Sequence, residues 1–250
     1  MNQAKILEVI KINKNFGGVQ AVKNISFELN KGELLGVIGP NGSGKTTLVN
    51  LITQFVRLSS GSIKFKGKKI DHLPPHKIIG LGISRTFQMV RPFYKLPAYK
   101  NMIIPLYSPR ARSLLGGKYG DRDAMALDLL EEVGFERDSF VAYKPAGVLP
   151  QGYLKRLELA KAISLQPDLM ILDELFSGLS LAEVASIVPI VEKLLQKGIS
   201  IIMIEHRLKE LFKIADRIIV LNYGEKIADG SAQEVMESEA VKDAYLGTKA

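Results

Sequence analysis

The sequence predicts an α/β protein built around a mainly parallel β-sheet. Three apolar runs, at residues 33–38, 169–172 and 199–204, have the length and composition of strands that are buried on both faces of such a sheet. Segments with helical periodicity separate these runs, and the alternation of strands with helices is typical of the α/β class. Each run ends in glycine or in charged residues, so we expect a functional site at the carboxyl edge of the sheet.

The composition is that of an ordinary globular protein. Hydrophobic residues make up 46% and charged residues 24% of the 250 positions, and a chain of this length can bury a large core. The sequence contains no cysteine, which excludes disulfides, cysteine-ligated zinc and thiol catalysis. The formal net charge is +8, but lysines and arginines are scattered along the chain, so we do not predict nucleic acid as a partner.

Nothing in the sequence predicts a targeting or membrane-spanning segment. The apolar stretch near the N-terminus is interrupted by Lys5, Glu8 and Lys11, so no signal peptide is expected. No apolar run approaches the roughly 18 residues that a spanning helix needs. If the protein works at a membrane, we expect it to do so through the helices of other proteins.

Two strands are predicted before the first buried run, at residues 6–12 and 25–29. Phe16 precedes two glycines in the expected loop between them. Such an aromatic residue either packs onto the core or, because it lies shortly before a glycine-rich loop, stacks on a purine ring. A turn at 59–61 and a half-exposed strand at 63–66 are expected after the first helix.

The glycine-rich loop after the first buried run has the pattern of glycine, four residues, then Gly-Lys-Thr. It comprises Gly39, Pro40, Asn41, Gly42, Ser43, Gly44, Lys45, Thr46 and Thr47. A strand before it and a helix after it are the context that a phosphate-binding loop requires, because backbone N–H groups and the helix dipole then face a polyphosphate. We expect Lys45 to reach the β- and γ-phosphates and Thr46 to place its hydroxyl on Mg²⁺. The loop predicts a nucleotide-binding protein, with a chance glycine-rich turn as the alternative.

A further strand is expected at residues 83–88, with Gln88 at its end. From residue 90 to about 120, prolines, glycines and aromatic residues replace any sheet pattern, which predicts an inserted subdomain. Its aromatic side chains, Phe93 and Tyr94 among them, either form a surface for a partner or pack inward beneath a long loop.

Charged side chains follow the second and third buried runs. Asp173 and Glu174 end the second run, and next to a phosphate loop one carboxylate can hold Mg²⁺ while the other orients or deprotonates a water. An acidic turn without a function is the alternative. Glu205 and His206 end the third run, where a histidine is a candidate catalytic residue as well as a structural one.

Helices are predicted for most of the remaining chain, at residues 121–133, 152–167 and 180–197 and after Ser231. The third of these helices begins with the capping box of Ser180 and Glu183, and the last begins with that of Ser231 and Glu234. A hairpin is expected at residues 217–228.

Taken together, these motifs resemble the ATP-binding cassette family, and the resemblance covers essentially the whole chain. Residues 39–47 are similar to the Walker A motif, and residues 169–174 to the Walker B motif with its catalytic glutamate. Gln88 stands at the Q-loop glutamine, His206 at the switch histidine and Phe16 at the adenine-stacking aromatic. Within the family, the ATPase subunits of branched-chain amino-acid importers look similar at residues 84–88, 204–206, 222–224 and 244–247.

The resemblance implies a RecA-like P-loop NTPase core with a mainly parallel sheet, an N-terminal antiparallel β subdomain and an inserted α-helical subdomain. The first part of the core, with the β subdomain, would span residues 1–92, and the helical subdomain that carries the signature would span 93–155. The second part of the core would span 156–230, followed by a helical tail at 231–250.

The resemblance also implies an ATPase that uses ATP and Mg²⁺ at the cytoplasmic face of the cell membrane, as a peripheral subunit. Implied partners are integral-membrane permease subunits, a related ATPase subunit in a homo- or heterodimer and, indirectly, a periplasmic or extracellular substrate-binding protein, without nucleic acid. The implied catalytic residues are Glu174, His206, Gln88 and Lys45, and the implied metal ligands are Thr46, Gln88 and Asp173. The implied nucleotide contacts are Phe16, residues 39–47, Gln151 and Gly152.

The chain departs from the family pattern at three places. The signature Leu-Ser-Gly-Gly-Gln is replaced by Leu149-Pro150-Gln151-Gly152-Tyr153, which lacks the serine hydroxyl that would hydrogen-bond the γ-phosphate. Leu175 replaces the proline that usually follows the catalytic glutamate, and the loop at 177–180 has serine where aspartate or asparagine is usual. In a dimer, this chain should therefore complete its partner's site less well than a regular signature would, which favours a heterodimer.

Other functions fit the sequence less well. A lipopolysaccharide or other lipid exporter subunit is similar at the phosphate loop and the tail, but the sequence of residues 85–88 argues against it. A soluble cassette protein acting on ribosomes or DNA would carry two cassettes or a long coiled-coil insertion, and a phosphate-loop kinase would carry an acceptor-binding lid. The transported substrate does not contact the motor subunit in such systems, so its identity depends on the partners.

Overall fold

A computed structural model describes residues 4–114 and 121–246 of the chain. The predicted glycines at 116, 117 and 120 lie outside the described residues, as do the first three residues and residues 247–250 of the predicted tail. The description that follows concerns the two described ranges.

The described chain alternates strands and helices. The strands are β1 (Lys5–Phe16), β2 (Val19–Asn30), β3 (Leu34–Ile38), β4 (Ser60–Phe65), β5 (Lys68–Lys69), β6 (Ile83–Arg85), β7 (Leu169–Asp173), β8 (Ser200–Ile204), β9 (Arg217–Asn222) and β10 (Glu225–Gly230). The helices are α1 (Lys45–Ile52), α2 (Pro75–Leu81), α3 (Ile103–Leu106), α4 (Pro109–Leu114), α5 (Arg122–Glu132), α6 (Gln151–Ile163), α7 (Leu181–Gln196), α8 (Leu208–Ile214), α9 (Ala232–Glu237) and α10 (Glu239–Leu246).

The central sheet has six strands in the order β10-β9-β3-β8-β7-β6. All neighbouring pairs are parallel except β9 and β10, which form the predicted hairpin at the sheet edge. Every residue of β3, β7 and β8 is buried, because helices or the second sheet cover both faces. The predicted mainly parallel sheet is confirmed.

A second sheet is antiparallel, with the order β2-β1-β4-β5. Neighbouring residues of a strand point to opposite faces, so Leu34 and Leu35 belong to two different apolar cores. The core that contains Leu35 lies between the two sheets, and the core that contains Leu34 joins the central sheet to the helices. The phosphate loop begins at the end of β3. Because β3 is packed between the two cores, the first residue of the loop is held in a fixed position.

Several predicted boundaries were wrong, including the start of β2, which begins at Val19 instead of residue 25. Strand β1 continues to Phe16 instead of ending at residue 12, because the two glycines after Phe16 form a tight hairpin turn to β2. Strand β4 begins at Ser60, where a turn was expected, and pairs with β1. Strand β6 ends at Arg85, so Gln88 lies in the loop beyond the strand.

The inserted segment is helical and packs as one body with α6. Its core includes Met102, Leu130 and Phe135, and the ring of Tyr153 packs edge-on against Phe135 with centroids 5.0 Å apart. Phe93 and Tyr94 lie on the surface, with 51% and 56% of their area exposed. The alternative that these aromatics pack inward is therefore wrong.

Among the described residues, every helix is too short or too polar to cross a membrane.

Candidate active site

Glycine is required at two positions of the loop between β3 and α1. Gly39 has φ 149°, and a Cβ there would lie 2.1 Å from the carbonyl oxygen of Leu221. Gly44 has φ 106°, and a Cβ there would lie 2.6 Å from the carbonyl oxygen of Ala21. A side chain at either position would push the loop away from the strands that support it.

The β9–β10 turn is hydrogen-bonded to the same loop. The N–H of Gly224 donates to the carbonyl of Ser43 at 3.0 Å, and the N–H of Lys23 donates to the carbonyl of Gly224 at 2.7 Å. Gly224 therefore links β2 to the phosphate loop. These hydrogen bonds restrict the conformation of the loop before any ligand binds.

Lys45 is folded into the loop. Its Nζ donates to the carbonyl oxygens of Gly39 at 2.8 Å and Pro40 at 2.9 Å, and the residue is 6% exposed. Burial lowers the pKa of Lys45, and the charges of Glu174 and Asp173 oppose that shift. A buried ammonium beside a ring of backbone amides is a site for an anion.

Two further observations support the binding of a polyphosphate by this loop. The hydroxyl of Ser43 is buried and has no hydrogen-bond partner among the described residues, so it can bind a phosphate oxygen. The first turn of α1 contains no acidic side chain that would compete with an anion for its N–H groups. Gly39, Pro40, Asn41, Gly42, Ser43, Gly44, Lys45, Thr46 and Thr47 thus form one continuous loop and helix start, as predicted.

Asp173 ends β7 and is held by residues of β6 and the loop after it. Its Oδ2 accepts from the Arg85 guanidinium at 2.7 Å, with only 4% of the Asp173 side chain and 7% of the Arg85 side chain exposed. The N–H of Asp173 donates to the Thr86 hydroxyl at 3.2 Å, and Arg85 also donates to Asn50 of α1 at 2.6 Å. The carboxylate is therefore tied to the helix that follows the phosphate loop.

The carboxylate of Glu174 lies within hydrogen-bond distance of two other predicted catalytic residues. Gln88 Nε2 donates to its Oε2 at 2.7 Å, and His206 Nε2 lies 3.1 Å from its Oε1. The Glu174 backbone has φ 51°, an uncommon conformation for a residue with a side chain, and its N–H donates to the carbonyl of Ile204 at 2.9 Å. The structure thus brings together residues that lie 86 and 32 positions from Glu174 in the sequence.

The residues predicted as Mg²⁺ ligands lie at or shortly after the carboxyl ends of β3, β6 and β7. The predicted ligands Thr46, Gln88 and Asp173 offer a hydroxyl, an amide and a carboxylate, which suit a hard cation. No cluster of three or more His, Cys, Asp or Glu side chains with metal-site geometry occurs within residues 4–114 and 121–246. The donor set therefore fits Mg²⁺ that takes its remaining ligands from phosphates and water.

Phe16 lies at the end of β1 and is 49% exposed. The ammonium of Lys14 lies 4.9 Å from its ring centroid. The ring is not packed into the core, so its exposed face is open to a purine.

The signature-like segment forms the start of α6. Pro150 is the N-cap, Gln151 is the first helical residue and is exposed, and a Cβ at Gly152 would lie 2.5 Å from Glu183 Oε1. Tyr153 packs on Phe135, so its ring belongs to the core of the helical segment. The start of α6 presents an exposed glutamine, and the backbone N–H of Gly152 donates to the Glu183 carboxylate.

Lys155 and Glu205 are buried at this site, and sequence reasoning assigned no role to either. Lys155 Nζ donates to the carbonyl oxygens of Glu174 at 2.9 Å and Gln88 at 3.1 Å, and burial lowers its pKa. Glu205 accepts from the N–H of Phe176 at 2.8 Å, and burial raises its pKa to about 7. Arg85 was also missed. For Glu205 the available signal was a charged residue directly after an apolar run, whereas Lys155 and Arg85 have polar neighbours in the sequence and gave no such signal.

Comparison with known proteins finds relatives over nearly the whole chain. A family model described as ABC transporter matches residues 22–177, and one described as branched-chain amino acid ATP-binding cassette transporter matches residues 225–250. The high-affinity branched-chain amino acid transport ATP-binding protein BraF of Pseudomonas aeruginosa is 34% identical, covering 97% of this chain and 98% of BraF. The corresponding protein LivG of Salmonella typhimurium is 33% identical with the same coverage.

Solved structures agree in fold. A nucleotide-free ATP-binding cassette from an ABC transporter superposes with a TM-score of 0.87 at 31% identity, covering 97% of this chain and 99% of that one. The ADP conformation of MJ1267, an ATP-binding cassette of an ABC transporter, gives a TM-score of 0.84 at 32% identity with the same coverage. The predicted fold class is confirmed.

Proposed function

This chain belongs to the ABC transporter family and is an ATPase, and we propose that it is the motor subunit of an importer of branched-chain amino acids. The named relatives support the substrate class, since BraF and LivG are branched-chain amino acid transport proteins. The match of residues 225–250 to the branched-chain family model supports it independently at the C-terminal end.

The convergence of Gln88, Glu174 and His206 is the observation that carries the proposed mechanism. Glu174 orients or deprotonates the attacking water, and His206 holds its carboxylate in position. Gln88 donates to the same carboxylate from the loop after β6. A movement of that loop therefore changes the hydrogen bonding of the Glu174 carboxylate. When bound, Mg²⁺ would neutralise phosphate charge, and Thr46, Gln88 and Asp173 would hold it.

Nucleotide binding is assigned to other residues of the same edge. The loop amides and Lys45 hold the phosphates, and Phe16 stacks on the adenine. Gln151 and Gly152 of α6 reach the nucleotide of a second ATPase subunit in a dimer. Pro150 offers no hydroxyl there, which favours a related subunit with a regular signature as the partner.

The membrane partners dock on the inserted segment. Phe93 and Tyr94 are exposed aromatic residues, a type enriched in protein interfaces, and they follow Gln88 closely in the chain. A permease subunit that contacts them is thus connected by a short path to the catalytic carboxylate. The motor would act as a peripheral subunit at the cytoplasmic face of the membrane, and a substrate-binding protein outside the cell membrane would contact the permease only.

The test is to purify the motor with its membrane subunits and to measure ATP hydrolysis in proteoliposomes with a leucine-loaded binding protein. Glu174→Gln should keep MgATP affinity, since Lys45 and the loop amides hold the phosphates, and turnover should fall on the order of 100-fold. Lys45→Ala should lose nucleotide binding itself. Near-normal hydrolysis by Glu174→Gln would reject its role, and stimulation by a lipid substrate instead of leucine would reject the importer.

A further inference from the structure

Lys155 is a buried cation that the roles proposed above leave unused. The residue is 2% exposed, and its ammonium donates to the carbonyl oxygens of Gln88 and Glu174 at 3.1 and 2.9 Å. Lysine is almost never fully buried without partners, because burial removes the hydration of its charge. Here the partners are two backbone carbonyls, one in each loop that carries a predicted catalytic side chain.

Three segments of the chain contribute charged or hydrogen-bonding groups around this ammonium. The carboxylates of Glu205, Glu174 and Asp173 attract it. Glu205 accepts the N–H of Phe176, which lies two residues after Glu174. Helix α6, the loop after β7 and the end of β8 therefore meet in one polar cluster that is shielded from water.

Lys155 lies one helical turn after the start of α6. Gln151 is the first residue of that helix, and four residues of helix correspond to about 6 Å along the axis. A single turn of hydrogen-bonded helix is stiff, so any shift of the loops that Lys155 contacts is transmitted to Gln151 and Gly152. The same helix start is tightly packed against Glu183 of α7, which limits independent movement.

We propose that Lys155 is a positioning residue that couples the two nucleotide sites of the dimer, an inference that rests on the dimeric arrangement of the proposed function. The ammonium fixes the Gln88 and Glu174 loops of its own site to the helix whose start completes the site of the partner. Nucleotide-dependent movement of those loops then sets the position of Gln151 and Gly152 at the other nucleotide.

The first test uses the assembled transporter and the substitution Lys155→Met, which keeps a side chain of similar length without the ammonium. The affinity for ATP measured without Mg²⁺ should stay unchanged, because Lys155 donates to the Gln88 and Glu174 loops and not to the phosphate loop. The kcat should fall by about tenfold, and the Hill coefficient for ATP should fall toward about 1. Lys155→Arg, which keeps a cation, should recover part of both.

Lys161→Met is the matched control, because Lys161 lies on the same helix in a more exposed ion pair with Glu158. It should leave kcat and the Hill coefficient unchanged. If the wild-type complex is active and the Lys155→Met complex has the same kcat and Hill coefficient, the coupling proposal is overturned and the proposed function is not. A wild-type complex that does not hydrolyse ATP would overturn the proposed function.

The second test separates coupling from support of the local site. In a mixed dimer, a chain with Glu174→Gln binds nucleotide without turning it over, so hydrolysis is confined to the wild-type chain, whose site is completed by the α6 start of the Glu174→Gln chain. Adding Lys155→Met to the Glu174→Gln chain should lower hydrolysis by the wild-type chain by about tenfold. Unchanged hydrolysis would show that Lys155 acts only within its own site, and would overturn the proposal.

Discussion

Replacing Glu205 by glutamine should remove a pH dependence from the stability of the protein. Glu205 is 2% exposed at the end of β8, and burial raises its pKa from 4.5 to about 7. The N–H groups of Phe176 and His206 and the charge of Lys155 act in the opposite direction, while the charge of Glu174 adds to the rise. Burial outweighs these favourable contacts, so the ionised carboxylate destabilises the folded state.

The sign and size of the effect follow from this shift. The folded protein binds the Glu205 proton more tightly than the unfolded chain does, so the free energy of unfolding falls as pH rises from 4.5 to about 7 and is level above. A shift of roughly 2.5 pKa units corresponds to about 3 kcal/mol. Glutamine keeps an oxygen that can accept the Phe176 N–H and carries no charge, so it should avoid this loss.

The assay is urea denaturation of wild type and Glu205→Gln at several pH values from about 5 to about 8. Subtracting the two free energies of unfolding removes the titration of the other groups. The difference in favour of Glu205→Gln should grow by about 2.5 kcal/mol across this range, because part of the loss has already occurred at pH 5. Glu239→Gln, at an exposed position of α10, should give a curve parallel to wild type. A difference between wild type and Glu205→Gln that does not change with pH would refute the reasoning.

Three further changes test other parts of the site. Arg85→Met should lower the free energy of unfolding by about 3 kcal/mol in urea, because it leaves the Asp173 carboxylate buried without its cation; a loss below about 1 kcal/mol would contradict the ion pair's role. Tyr94→Glu should abolish transport in proteoliposomes while ATP affinity and the unfolding midpoint match wild type, and an equal loss of stability would place the ring in the core. Pro150→Ser should raise ATPase activity of the homodimer at least about fivefold by restoring a hydroxyl; no gain would refute the asymmetry.

The three central parallel strands β3, β7 and β8 could be predicted because their sequences are short and mainly apolar, which is typical of a sheet covered on both faces. The exposed end of β1 could not, since Lys14 and Asn15 pair with β2 through backbone groups in an irregular register, and backbone pairing leaves little trace in the side-chain pattern. The end of β6 was misplaced for a related reason. Thr86 continues the strand-like sequence but places its hydroxyl on the Asp173 N–H.

The meeting of Glu174 with His206 was accessible from sequence, because both follow buried parallel strands and such strands end at one edge. Lys155 was not accessible, since its partners are backbone carbonyls that lie 67 and 19 residues away in the chain. The role of Arg85 was not accessible either. Its pairing with Asp173 depends on the register of β6 against β7, which the sequence pattern does not specify.

The order of strands in the central sheet governs when the protein can first bind a ligand during its synthesis. Strand β3, which leads into the phosphate loop, has β8 and β9 as its two neighbours within the described part of the chain. About 180 residues separate β3 from the end of β9, so a ribosome adding about 5 to 20 residues per second needs roughly 10 to 40 s to supply both neighbours. During that interval the apolar strand has no partner in its own sheet, and a nascent chain should retain no nucleotide and should depend on chaperones until residue 222 has emerged.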